Sequence, residues 1–245
     1  EIRPKTWCFP IAGCVAYKCY FDEKNAAALD ARLVEQGYDT FMYGVSAYST
    51  LGWFSDPVLN TFVDYRESSL ASLIFHELAH QVVYVKDDSA FNEAFATSVE
   101  LAGLELWLRN NESDETYAKH LEIRARNQKI TELILQFRNQ LSELYSSETQ
   151  YDLLKSKRSI FQEMKNQYSA LSESGNGTPY YDWWFSLDLN NAHLISLSTY
   201  YQLVPAFTRV LDEAGSFKRF FEIVADKSKL DKEARDAWLE QYRDS

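Results

Sequence analysis

The stretch from Ser69 to Lys86, SLASLIFHELAHQVVYVK, constrains this chain more than any other. Its apolar residues recur at helical spacing. At about 3.6 residues per turn, positions four apart lie one above the other on the same face. His76 and His80 therefore point the same way, as two ligands of a single Zn²⁺ must. Glu77 stands beside the first of them, where it can reach a water on the metal. Two of the chain's 4 histidines are used in this one motif.

Two imidazoles do not complete a catalytic zinc site, which takes a third protein ligand and keeps a position open for water. The pattern that continues with a glycine and a third histidine is excluded, because positions 83 and 86 are Val83 and Lys86. The next helix offers a carboxylate instead. Asp87-Asp88-Ser89 reads as a tight turn with good N-cap residues, followed by a helix from about Ala90 to Leu108. Glu93 lies in its first turn between Phe91 and Phe95, able to face His76 and His80. One Zn²⁺ held by His76, His80 and Glu93 would lower the pKa of bound water to about 7. Glu77 would then act as general base and pass the proton to the leaving amine. Glu100, on the same helix face as Glu93, is a candidate to orient an imidazole, or else a surface glutamate. A donor for the developing oxyanion is also needed. His193 and Tyr200, seven residues apart on a helix beginning near Asn190, are candidates. Each can equally be a core residue with a satisfied hydrogen bond.

A net charge of −11 argues against nucleic acid as a partner, which needs a basic face. No apolar run approaches the roughly 20 residues of a membrane-spanning helix. The 3 cysteines, Cys8, Cys14 and Cys19, fall close together without C-x-x-C spacing. Two readings stand: a local disulfide, with Cys8–Cys14 the favoured pair in an exported protein, or three reduced buried thiols.

Elsewhere the patterning predicts extended structure over 7–21, then a helix from Glu23 to Gln36 capped by Asp22 and closed by Gly37. A strand is predicted over Tyr38 to Ser49, continuing through Thr50 to Phe54. The motif helix should run from about Glu67 towards Lys86. Asp114 to Tyr145 and Gln150 to Leu171 form a charged antiparallel helical hairpin with a narrow apolar stripe. After a Gly- and Ser-rich break at 172–179, helices are expected over 188–204, Ser216 to Ala225 and Asp231 to Arg243, the first disturbed at Pro205.

The HELAH motif with a following Asn92-Glu93-Ala94 resembles the gluzincin metallopeptidases, the thermolysin-like group, in which that glutamate is the third zinc ligand. The residue four further on is there usually an aspartate supporting a zinc histidine; here it is Thr97. A closer resemblance is to a bacterial aminopeptidase family. It is carried by Lys5 to Pro10, Gly13-Cys14-Val15, Tyr48 to Phe54, Asp56-Pro57, the run from Ile74 to Glu100, and Asn190-Asn191-Ala192. It implies an α+β, zincin-like fold with a small mixed sheet over the helix pair. The resulting single domain has a mainly β part at 1–66, the zinc-binding helices at 67–110, the hairpin at 113–172 and a helical C-terminal part at 180–245. It also implies that Leu51, Gly52 and Trp53 form an edge that pairs with substrate backbone. A removed lipoprotein-type export segment would anchor the protein facing the periplasm. The expected activity is zinc-dependent aminopeptidase action on peptides. The G-x-M-E-N run that holds the substrate amine in well-known zinc aminopeptidases is absent, so an endopeptidase is the near rival. A non-catalytic zinc protein binding peptides or a cell-envelope partner is the distant one.

Overall fold

A computed structural model describes residues 2–9, 13–45, 64–147 and 152–242. Two short strands, β1 (Trp7–Phe9) and β2 (Gly13–Val15), precede α1 (Glu23–Glu35), α2 (Glu67–Val82) and α3 (Ser89–Asn111). Then come α4 (Asp114–Ser146), α5 (Leu153–Leu171), a wide π-type turn at Ser172–Asn176 and α6 (Pro179–Ser186). The chain closes with α7 (Asn191–Tyr201), α8 (Val204–Ala214), α9 (Phe217–Lys227) and α10 (Lys232–Glu240). No described helix is long and apolar enough to cross a membrane.

Contacts divide the chain into two compact units. The first comprises Glu1–Lys5, Lys18–Met42 and Ala118–Ser198. Its α1 starts as the sequence predicts, with the Asp22 carboxylate accepting from the Lys24 N–H at 2.9 Å. Its core is the apolar stripe of the helical hairpin. Ile130, Ile134, Phe137 and Leu141 of α4 are buried, as are Phe161 and Met164 of α5, and Trp184 of α6 is buried with them. The α4 residues Lys129 to Gln136 and the α5 residues Gln167 to Leu171 line one groove, as antiparallel neighbours do. Helix α6, in a stretch for which no element was predicted, begins with Pro179, whose fixed φ suits the first helical turn.

The strand predicted from Tyr38 is absent over 38–45, where the chain is irregular; the rest of that prediction, with Leu51, Gly52 and Trp53, lies outside the described residues. The cause is that these groups have other partners. Asn190 Nδ2 donates to the Thr40 carbonyl at 2.9 Å, and the Phe41 ring stacks on His193 at 4.1 Å. The described sheet is an antiparallel ribbon of β1 and β2, which with helices α2 and α3 and the mainly helical, partly hairpin-like remainder matches a zincin-like α+β fold.

Burial depresses the pKa of His193 to about 4, against opposing pulls from Asp188 and Asp39. The native ring is therefore neutral, while the unfolded chain takes up a proton near pH 6.5. Stability is full above pH 6.5 and falls as the pH drops from there towards 4. Urea unfolding at pH 7 and 4.5 should show a smaller acid loss for His193→Phe than for the parent. Equal losses would rule out this account.

The second unit comprises Thr6–Tyr17, Tyr43–Tyr117 and Thr199–Ser245. Its central element is α3, buried on every side from Phe91 to Val99, as a helix inside a core must be. Phe91 and Phe95 meet Phe207 of α8 edge-on at 5.1 and 5.9 Å, and Phe95 packs on Phe220 of α9 at 5.7 Å. Helix α2 lies along α3 so closely that a Cβ on Gly103 would come within 2.9 Å of the Phe75 ring. Pro205 does not disturb a long helix; it sits in the first turn of α8, which starts anew at Val204 after α7 has ended.

Candidate metal centre

Helix α2 stops at Val82, short of the predicted Lys86, because Asn92 holds the following residues extended. Its Oδ1 accepts from the Val85 N–H at 2.8 Å, and its Nδ2 donates to the Val85 carbonyl at 2.7 Å. The chain reverses at Asp87, which takes a left-handed φ of 66°, a conformation that aspartate tolerates better than most residues. Asp88 then caps α3 by accepting from the Phe91 N–H. This short, pinned turn folds Glu93 back onto the histidine face of α2.

Three groups meet there. One ligand atom each from His76, His80 and Glu93 lies within 4.8 Å of the others. Glu93 Oε2 faces both rings, 3.3 Å from His76 Nε2 and 3.6 Å from His80 Nε2. The imidazoles stand edge to face with centroids 5.0 Å apart. His80 and Glu93 are only 8% and 6% exposed. A carboxylate removed from water to this degree is costly unless a cation accompanies it. Burial opposes a charge on His76, but Glu100 and Glu93 outweigh it and raise its pKa well above the ordinary 6.5. Burial likewise opposes charge on Glu93, and the two histidines overcome it, holding the carboxyl below its usual range. Two nitrogens and an oxygen converging on a point that demands positive charge fit a divalent metal of the zinc type.

Around these ligands, Glu100 Oε2 lies 3.0 Å from His76 Nδ1, and Ser72 Oγ donates to Glu100 Oε1 at 2.6 Å. This arrangement fixes His76 with Nε2 towards Glu93. Thr97, where the gluzincin pattern has an aspartate, is buried with its hydroxyl unpartnered among the described residues, as is His80 Nδ1. Support of His76 thus comes from one turn further along α3. Tyr200 of α7 lies in the same unit, its ring 6.1 Å from that of His76. Burial first, then the nearby charge of Glu93 and the Tyr43, Tyr17 and Glu77 side chains, drive its phenol far above the ordinary pKa of 10. Glu77 is half-buried beside His76. His193 belongs to the first unit, and its described contacts are Phe41, Trp184 and Asn190.

The sequence reading missed three residues that bear on the site. Tyr17 donates to Glu93 Oε1 at 3.4 Å, Asn92 builds the turn, and Arg235 of α10 pairs with Asp88 at 2.7 Å. Only Asn92 left a local signal, its place in the Asn-Glu-Ala run.

The family model described as "Putative aminopeptidase" matches residues 1–239. Searches of curated proteins and of solved structures each returned no match.

Proposed function

The chain belongs to the "Putative aminopeptidase" family, and on that premise we propose that it binds one zinc ion per chain through His76, His80 and Glu93 and removes residues from the N-terminus of peptides. The observation that carries this reading is the convergence of those three ligand atoms within 4.8 Å on two helices joined by a pinned turn. Bound zinc supplies Lewis acidity, polarising the scissile carbonyl and making water acidic enough to attack near neutral pH. Glu77 takes the proton of the attacking water as the C–O bond forms, and gives it to the leaving amine as the C–N bond breaks. Tyr200, held protonated by its surroundings, donates to the carbonyl oxygen as negative charge develops on it. Glu100 and Ser72 keep the His76 ring in register with the other ligands.

The protein is further proposed to work in an oxidising compartment outside the cytoplasm. The Cys8–Cys14 disulfide supports this, as it joins directly opposed residues of β1 and β2.

Metal analysis should find one zinc per chain at pH 7 and none in His76→Ala; a metal-free parent overturns the site. A peptide-library digest by the loaded protein reads the rest. Stepwise N-terminal shortening is expected. Internal cuts would replace the aminopeptidase with an endopeptidase, and the absence of any cleavage would overturn the catalytic reading.

A further inference from the structure

The ribbon of β1 and β2 sits on the turn that joins the two ligand helices. Gly13 comes so close that a Cβ there would fall 2.6 Å from Lys86 Cγ, and it takes a φ of +75° open to few other residues. The Cys14 N–H donates to the Asp87 carboxylate, and the Cys8–Cys14 bond closes the ribbon beside that contact. Two residues past Val15 the chain presents Tyr17, whose hydroxyl points at Glu93. The two oxygens of Glu93 therefore have different neighbours. Oε2 faces His76 Nε2 and His80 Nε2, whereas Oε1 faces the Tyr17 phenol at 3.4 Å.

We propose that Tyr17 is a positioning residue for the metal ligand Glu93, and that the disulfide-closed ribbon holds it in place. The proposal rests on the reading of His76, His80 and Glu93 as metal ligands. A carboxylate ligand can offer either oxygen or both, and rotation about its last torsion is soft. A phenol engaging Oε1 leaves Oε2 as the atom turned to the imidazoles and selects one ligand geometry. At 3.4 Å the contact is long for an O–H donor, so its part is to orient the carboxylate and not to bind it tightly. Groups that orient a ligand in this way characteristically contribute about 10–100-fold in metal affinity. Glu93 then has its own support as His76 has Glu100, with one partner supplied by α3 and the other by the N-terminal ribbon. Integrity of the disulfide thereby becomes linked to metal retention.

The test is zinc affinity by chelator competition in four proteins: the parent, Tyr17→Phe, Cys8→Ala/Cys14→Ala, and the triple variant. Tyr17→Phe keeps the ring and removes only the hydroxyl. It should bind zinc about tenfold more weakly, with unfolding of the metal-free protein unchanged and a shifted visible absorption spectrum after Co²⁺ loading. Opening the ribbon should weaken zinc in the parent but add little in the Tyr17→Phe background, since both changes act on one contact. Zinc affinity within twofold of the parent and an unaltered Co²⁺ spectrum in Tyr17→Phe overturn the positioning role. Equal weakening by the cysteine change in both backgrounds overturns the part assigned to the ribbon. A parent that binds no zinc overturns the underlying metal site instead, so the two failures read differently.

Discussion

Glu77→Gln is expected to keep its zinc and lose peptide hydrolysis, with kcat falling by about 10²–10⁴, the usual worth of a positioned general base. The metal should stay because the ligand atoms come from His76, His80 and Glu93, and Glu77 is not among them. Glutamine fills the same volume and still accepts a hydrogen bond, so a fall in rate cannot be assigned to a cavity or to lost packing. What it lacks is the capacity to take a proton from water and return it to the amine. The loss should appear in kcat with KM nearly unchanged, because binding of the peptide does not use the base. Zinc content, measured beside turnover, separates this outcome from a damaged site. Zinc-loaded Glu77→Gln with the parent's kcat would remove Glu77 as the base.

The motif helix was readable because its information is local. Four-residue spacing fixes which side chains share a face, and no distant contact is needed to know it. Glu93 was readable at one remove: a turn of aspartates before an apolar helix brings that helix back, with its first turn able to face the motif. Glu100 followed from Glu93 by the same periodicity. Tyr38 to Val45 shows the opposite case. Its alternation of aromatic and β-branched residues fits a strand, yet Phe41 and Thr40 are engaged by His193 and Asn190, about 150 positions away, and long-range packing overrides propensity. Tyr17 was invisible for a related reason. Nothing near it in the chain marks it, and it reaches Glu93 only because the ribbon docks on the Asp87 turn. Pro205 was misread because proline has two meanings, a helix breaker inside and a good first-turn residue outside; which applies depends on where α7 ends.

Arg235 supports the second unit without any sign of it in the local sequence. It lies on α10, 147 positions from Asp88, and their side chains are 6% and 4% exposed. Asp88 caps α3, while Arg235 also donates to the Leu230 carbonyl and lies over the Phe91 ring at 5.6 Å. The ion pair thus ties the C-terminal helix to the turn immediately ahead of Glu93. Arg235→Ala leaves the Asp88 carboxylate buried, with the exposed Lys232 ammonium 3.7 Å away as its one cationic neighbour among the described residues. Removing one partner of a buried pair costs about 3–5 kcal/mol, and the loss should appear as a lower urea midpoint. Asp88→Asn with Arg235→Met removes both charges, retains a side chain that can cap the helix and fills much of the arginine's volume. It should recover most of that stability. If the double variant is as unstable as Arg235→Ala, packing and not the stranded carboxylate accounts for the effect. Zinc affinity gives a second readout. Because Glu93 lies in the first turn of the helix that Asp88 caps, Arg235→Ala should bind the metal more weakly even below the temperature at which it unfolds, and the double variant should restore that as well.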